Sequence, residues 1–126
     1  MRWSDPIPTA SEELLTWQRH NARQLSNVET AWAAMLRRMR GHRPARFDPQ
    51  CRALASSLES VDESTLLPVP DPLVDLYVRR LMKHLHAAAT ACGSRQLFNV
   101  VYRLEEARTA LGEIRWLLTQ RTVRPP

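Results

Sequence analysis

Glycine is scarce in this chain, with three in 126 residues, and the three stand too far apart to build a phosphate-cradling loop. No Asn-Gly or Asp-Gly step occurs, and no segment alternates apolar and polar residues over a strand's length, so hairpins and sheets have no local signal. No uninterrupted apolar run approaches the roughly 18 residues that a membrane span requires, and no membrane partner is expected. The opening residues, Met1-Arg2-Trp3-Ser4-Asp5-Pro6, carry one basic residue with no apolar stretch behind it, so a secretory signal is not expected either. Cysteine is limited to Cys51 and Cys92, with no Cys-x-x-Cys step. The expectation is two buried, reduced thiols in a cytoplasmic protein, because an isolated cysteine often packs as a small hydrophobe. The alternative is a disulfide or a metal pair.

Lysine is scarcer still. Seventeen of the 18 basic residues are arginine and Lys83 stands alone, a ratio that a GC-rich coding sequence produces without functional pressure. The clustering of the arginines is a separate matter. Between Arg37 and Arg52 lie six arginines and one acid, Asp48, so this stretch holds the whole formal net charge of +5, and the twelve basic and twelve acidic side chains elsewhere cancel. Charge focused in this way creates a local field that an even spread would not. Hydrophobic content of 44% beside 25% charged residues is an ordinary globular composition, and 126 residues suit one domain with its own core.

What the chain has in plenty is helical periodicity. The first helix is expected from about Ala10 to Arg40, opened by Thr9 with Glu12 in a capping box and stopped by Gly41. Leu25, Val28, Trp32, Met35 and Met39 step by three and four, Leu14 and Trp17 extend the stripe, and Gln18 and Asn21 interrupt it. Asp48 with Pro49 at the first helical position starts a second helix, faced by Cys51, Leu54, Ala55, Leu58 and Val61 and ended by Asp62-Glu63-Ser64. Pro68 and Pro70 then forbid regular helix, so Leu66 to Pro70 is expected as an extended strap lying on the bundle. Asp71-Pro72 repeats the cap-then-proline start and opens a third helix to about Cys92, with Leu73, Leu76, Tyr77, Leu81, Leu85 and Ala88 on its face and Gly93 as its stop.

The fourth helix is expected from about Arg95 to Arg121, with Val100, Leu104, Ala107, Leu111, Ile114 and Leu118 as its core stripe and Leu97, Phe98, Val101 and Trp116 widening it. The Gly93-Ser94 link is short enough to force a helical hairpin. The expected fold class is all-α: a single-domain antiparallel four-helix bundle over 1–126, with a short second helix, a Pro-rich extended strap between helices two and three, and irregular tails at 1–9 and 122–126.

Nothing in the sequence points positively to catalysis. His84 and His86 are two residues apart, so they diverge by about 200° around a helix and cannot share a metal. His20 and His42 have no ligand partner at helical spacing, and the Glu-x-x-His pair of di-iron bundles is absent. No Gly-x-Ser-x-Gly elbow is present. Glu12-Glu13 and Glu105-Glu106 suit solvated helix faces, and the first pair also complements the positive end of helix one. No catalytic residue, metal site, cofactor or small-molecule substrate is therefore expected. Arg79 with His84, and Arg80 with His86, have spacings that resemble the nuclease motif of the HEPN helical-bundle family, in which paired protomers form an RNA-cleaving site. The likeness covers those few residues only. The family places a polar residue after the arginine, whereas Arg80 or Leu81 follows here.

Two features point to a partner. In the arginine-rich hinge, Arg37, Arg38 and Arg40 complement the negative end of helix one, which needs no partner. Arg43, Arg46 and Arg52 have no such role, and with Arg40 they are the candidate residues for an acidic protein or nucleic acid, beside a stacking face on Phe47. Four tryptophans are the second feature. Trp17 and Trp32 suit the core, while Trp3 and Trp116, with Phe47, are candidate interface anchors. The expected function is a non-catalytic helical protein acting through protein–protein contact, as a homo-oligomer or with another protein. Polyanion or nucleic-acid binding through residues 37–52 is the alternative, and a HEPN-like ribonuclease ranks third.

Overall fold

The computed structural model describes residues 10–39 and 48–122, and these form five α-helices in order. They are α1 (Ala10–Met39), α2 (Asp48–Glu59), α3 (Glu63–Leu66), α4 (Pro72–Gly93) and α5 (Leu97–Thr122), packed as a single compact all-helical unit. No strand occurs among the described residues, and no described helix is long and apolar enough to cross a membrane.

The helix boundaries follow capping chemistry. Asp71 is extended, and its Oδ1 accepts from the backbone N–H groups of Leu73 (2.9 Å) and Val74 (3.1 Å), while Pro72 fills the first position, where no donor is needed. Asp62 plays the same part nine residues earlier. Its side chain accepts from the N–H of Ser64 at 3.0 Å and starts the single turn of α3. That turn is a correction to the expected four helices. Asp62-Glu63-Ser64 ends one helix and also nucleates another, so the extended strap begins only at Leu67.

A second correction concerns the stop of α4. Gly93 lies inside the helix, and the residue with left-handed backbone is Arg95, φ 58°. The N–H of Gln96 reaches the carbonyl of Ala91 (2.9 Å), and the N–H of Arg95 reaches that of Cys92 (3.1 Å). This pair of bonds is the Schellman closure, a motif that usually has glycine where Arg95 stands.

The core is drawn mainly from three helices. Leu14, Trp17, Val28, Trp32 and Met35 of α1 meet Val74, Val78, Leu81, Met82 and Leu85 of α4 and Val100, Leu104, Ala107, Ile114 and Leu117 of α5, with Leu54 and Leu58 of α2 closing one side. Each leucine fully removed from water stabilises by about 1.5–3 kcal/mol. The buried face of α4 departs from expectation only at its start, where Val74 and Val78 are inside while Leu73 and Leu76 are exposed; Leu81, Leu85 and Ala88 are buried as expected. The cap sets this phase by directing Asp71 and Val74 inward. In α5, Ala110 and Leu117 are buried, and Leu111 and Leu118 lie half-buried towards α1.

The thiols are also corrected. Cys51 and Cys92 form a disulfide with their Cα atoms 5.8 Å apart, joining the start of α2 to the end of α4. That spacing is within the usual range for a cystine. Neither residue alone revealed the pairing, because it depends on α2 lying alongside α4.

At the opposite end of α2 the chain is held by polar groups. Asn21, fully buried, donates through Nδ2 to the carbonyls of Trp17 (2.9 Å) and Thr65 (3.1 Å) and accepts at Oδ1 from Gln24 Nε2 (2.6 Å). Gln24 Oε1 accepts from the N–H of Asp62 at 2.9 Å, and the Trp17 indole donates to the carbonyl of Leu66 at 2.8 Å. Asn21, which interrupts the apolar stripe of α1, therefore clasps the α3 turn together with Gln24 and Trp17, pairing backbone groups at its ends that have no helical partner.

Candidate interaction surface

Half of the arginine hinge, residues 40–47, lies outside the described residues: Arg40, Arg43, Arg46 and Phe47 all do, and so does Trp3. Of the others, Arg37 is exposed near the end of α1 and Arg52 is exposed in the first turns of α2. Trp116, the remaining interface candidate, sits on α5 with 60% of its surface in solvent.

Trp116 has company. Phe98 is 94% exposed, Tyr102 about half, and Leu97 and Val101 more than a third. Leu97, Phe98, Val101 and Trp116 were expected to widen the core stripe of α5, and their exposure corrects that expectation. At 100° per residue, Phe98 and Trp116 are five full turns apart, so they share one bearing about 27 Å apart along the axis. Tyr102 is displaced from that line by about 40°. The line faces away from Val100, Leu104, Ala107 and Ile114, so Phe98, Tyr102 and Trp116 lie on the side of α5 that its helix neighbours leave uncovered. Ion pairing between Arg121 Nε and Asp71 Oδ2 at 2.9 Å brings the end of α5 to the start of α4. The exposed Leu73 and Leu76 consequently lie at the Trp116 end of the hairpin. A run of aromatic and aliphatic side chains left in water along one hairpin is the feature that marks protein contact sites on a folded chain.

Exposed Glu105, Thr109 and Glu113 lie within about 60° of this bearing between Tyr102 and Trp116, so the line is divided into a Phe98–Tyr102 group and a Trp116 group. The Arg80 guanidinium lies 5.2 Å from the Tyr77 ring centroid, and that of Arg103 lies 5.5 Å from the Tyr102 ring centroid. Arg103 Nη1 also donates to His84 Nδ1 at 3.1 Å. Arginine cannot accept, so His84 is the neutral tautomer with its proton on Nε2. Burial, and then the Arg103 charge, hold its pKa below the ordinary value of 6.5. Lys83 and Arg80 add to this, and Glu106 opposes it.

The arginines and histidines of the two nuclease-like spacings each have a separate partner within the chain. Arg79 is bound to Asp75, Nε to Oδ2 at 2.7 Å, while His84 turns to Arg103 of α5. His86 lies 3.8 Å from Glu63 of α3, and Arg80 lies over Tyr77. Among the described residues no cluster of three or more His, Cys, Asp or Glu side chains is placed to hold a metal ion.

Asp71 is the one buried acid of the hairpin. Burial raises its pKa, but the N–H groups of Val74 and Leu73 together with Arg121 outweigh that and hold the carboxyl below its ordinary 3.8. Its role is structural, because Oδ1 caps α4 and Oδ2 holds Arg121 of α5.

Sequence reasoning singled out Trp116 and missed Phe98, Tyr102, Leu73 and Leu76 as surface residues. A signal was available for α5, where Phe98, Tyr102 and Trp116 fall on a bearing different from the six-residue core stripe. No family model matches the chain, and neither a curated protein nor a solved structure does so.

Proposed function

We propose that the protein is a non-catalytic helical module that works by protein–protein contact, with the outer face of the α4–α5 hairpin as its docking surface. The long helices α1, α4 and α5 and the shorter α2 serve as an antiparallel bundle, and α3 with the strap after it covers one side. The observation that carries the reading is the exposed line Phe98–Tyr102–Trp116, with Leu73 and Leu76 at one end. Aromatic anchors of this kind dominate interface energetics when a partner removes them from water. The occupant is a second copy of the chain or another protein.

The test is sedimentation of the native protein, alone and as isolated from its source, beside Phe98→Glu and Trp116→Glu. Both positions are exposed, so folding should persist. The expected result is a defined dimer or complex, stable from low to high salt, that both variants dissociate. A native protein that is monomeric and partnerless at every concentration and salt would overturn the reading.

A second reading rests on Arg37 and Arg52, exposed at helix ends that flank the charged stretch. On this reading the stretch 37–52 binds nucleic acid or another polyanion, and affinity falls steeply with salt as counterions are released. Arg43→Glu with Arg46→Glu should abolish it. Compartment bears on both readings. A reducing cytoplasm holds most cystines open and an oxidising compartment holds them closed, so the state of the Cys51–Cys92 pair in freshly isolated protein reports which setting applies.

A further inference from the structure

Of the tryptophans among the described residues, Trp17 and Trp32 are taken up by the core, the first with its N–H on the Leu66 carbonyl and the second with its N–H unpartnered among those residues. Trp116 stands in solvent, and its place on α5 belongs to a pattern. Phe98, Tyr102, Glu105, Thr109, Gly112 and Trp116 follow one another at steps of four, three, four, three and four, and all six are exposed. Steps that alternate in this way average 3.5 residues, the spacing of a coiled-coil seam, so the six form one row along the outer side of α5. The row is also symmetric. Phe98 and Trp116 stand nine positions either side of Ala107, Tyr102 and Gly112 five, and Glu105 and Thr109 two.

We infer that the occupant of the α5 face is a second copy of this chain, with the two α5 helices packed antiparallel about a two-fold axis at the level of Ala107. The inference rests on the reading of that face as a docking surface and names its partner. In a two-fold contact, where residue i of one copy meets j of the other, j also meets i. Phe98 then meets Trp116, Tyr102 meets Gly112, and Glu105 meets Thr109, with ring against ring at both ends of the seam. Gly112 is an independent sign. Glycine weakens a helix interior, and among the described residues no atom beyond the helix's own backbone stands within 4 Å of where its Cβ would be. The chain's own packing does not call for glycine there, whereas a Tyr102 ring laid on bare backbone does.

Charge agrees with the antiparallel sense. Arg108 lies beside the row with Nη1 3.9 Å from Glu105 Oε2, and the two-fold gathers two Arg108 and two Glu105 side chains at the centre, a balanced set. Glu106 and Glu113 are turned about 60–80° from the row, on the α4 side, and stay at the rim. A parallel pair would set Glu105 on Glu105 and Gly112 on Gly112, leaving like charges together and a gap between helices. Taking about 200 Å² for a whole aromatic side chain, exposures of 94%, 54% and 60% give roughly 400 Å² of ring surface per copy. That is about half of the roughly 800 Å² per partner of a standard interface. The dimer is accordingly weak, with a dissociation constant on the order of 10–100 μM.

The test is sedimentation of the native chain and three variants from about 1 μM to about 1 mM, where the native protein should pass from monomer to dimer. Phe98→Glu and Trp116→Lys should each weaken the dimer about tenfold or more, because each sets a charge against a ring at both ends. Mixed in equal amounts, these two variants should associate to within about tenfold of native, since one end then joins the two opposite charges and the other keeps the native ring pair. Gly112→Leu adds apolar surface to the face, yet it should weaken the dimer about tenfold by filling the seat of Tyr102. A native dimer whose mixed variants stay monomeric, or that Gly112→Leu tightens, overturns the inference. A native chain that is monomeric alone, yet is isolated with another protein that Phe98→Glu releases, overturns the second copy as occupant and leaves the docking surface standing. A monomer without any partner overturns both.

Discussion

Trp17 and Trp32 sit on one helix, both almost completely buried, yet the two halves of the molecule around them are held in different ways. Around Trp17 the chain crosses α1, and α3 offers carbonyls that the indole, Asn21 and Gln24 bind. Around Trp32 no such crossing occurs among the described residues. The neighbouring helices meet through apolar contact, a hollow remains beside the ring, and α2 is fastened to α4 by the cystine. The difference teaches that a short turn laid across a helix can satisfy buried donors that parallel packing of helix sides cannot, since helix sides present no unbonded backbone acceptors.

Opening the covalent half should have the largest effect. The cystine closes a loop spanning 41 positions, and replacing both cysteines by alanine should lower unfolding free energy by about 4 kcal/mol by the chain-entropy estimate, read from the urea midpoint. Thiol titration provides the control: the native protein should show none until reductant is added, and two free thiols at the outset would sink the pairing. Next comes the polar half. Asn21→Ala strips two donors and an acceptor from buried partners and should destabilise by about 2–3 kcal/mol.

The two indoles allow the sharpest contrast. Trp17→Phe leaves the Leu66 carbonyl unpaired and should destabilise by about 1–2 kcal/mol, whereas Trp32→Phe removes an unsatisfied donor and should change stability by no more than about 0.5 kcal/mol. Equal losses at the two positions would break the comparison. At the α4–α5 turn beside the cystine, Arg95→Gly should stabilise by about 1 kcal/mol, because glycine occupies the left-handed region without a side-chain penalty.

The smallest effect is a pH dependence from His84. Its folded pKa is lowered, so the unfolded chain takes up the proton first as pH falls below 6.5. The contribution is present above 6.5 and is lost as pH falls from there through the folded pKa. His84→Gln should flatten the slope of the urea midpoint between pH 7.5 and 5.5, and an unchanged slope would remove His84 as its source.

The boundaries that the sequence marked best are those with a side-chain acceptor and a proline together. Asp71-Pro72 is the clearest, because the cap and the ring act within three residues and need no tertiary partner. Asp62 was legible as an end and not as a beginning, since a single turn such as Glu63–Leu66 has too few residues to show periodicity. Gly93 misled for a related reason: glycine favours the left-handed stop, but the register of the last turn places Arg95 there. On the surface, Trp116 was marked by its offset from the α5 stripe, while Leu73 and Leu76 matched a helical face and proved to lie just outside it.

Local information therefore determined the helical class, most helix ends and the hairpin between α4 and α5, because caps, prolines and apolar spacing act over a few residues. Only the tertiary structure decided which apolar side chains of α5 would be covered, that Cys51 would meet Cys92, and that Trp17 would find an acceptor where Trp32 did not. Each of these depends on what a neighbouring helix brings within a few ångströms, and periodicity along one helix records which residues share a bearing without recording what stands opposite them.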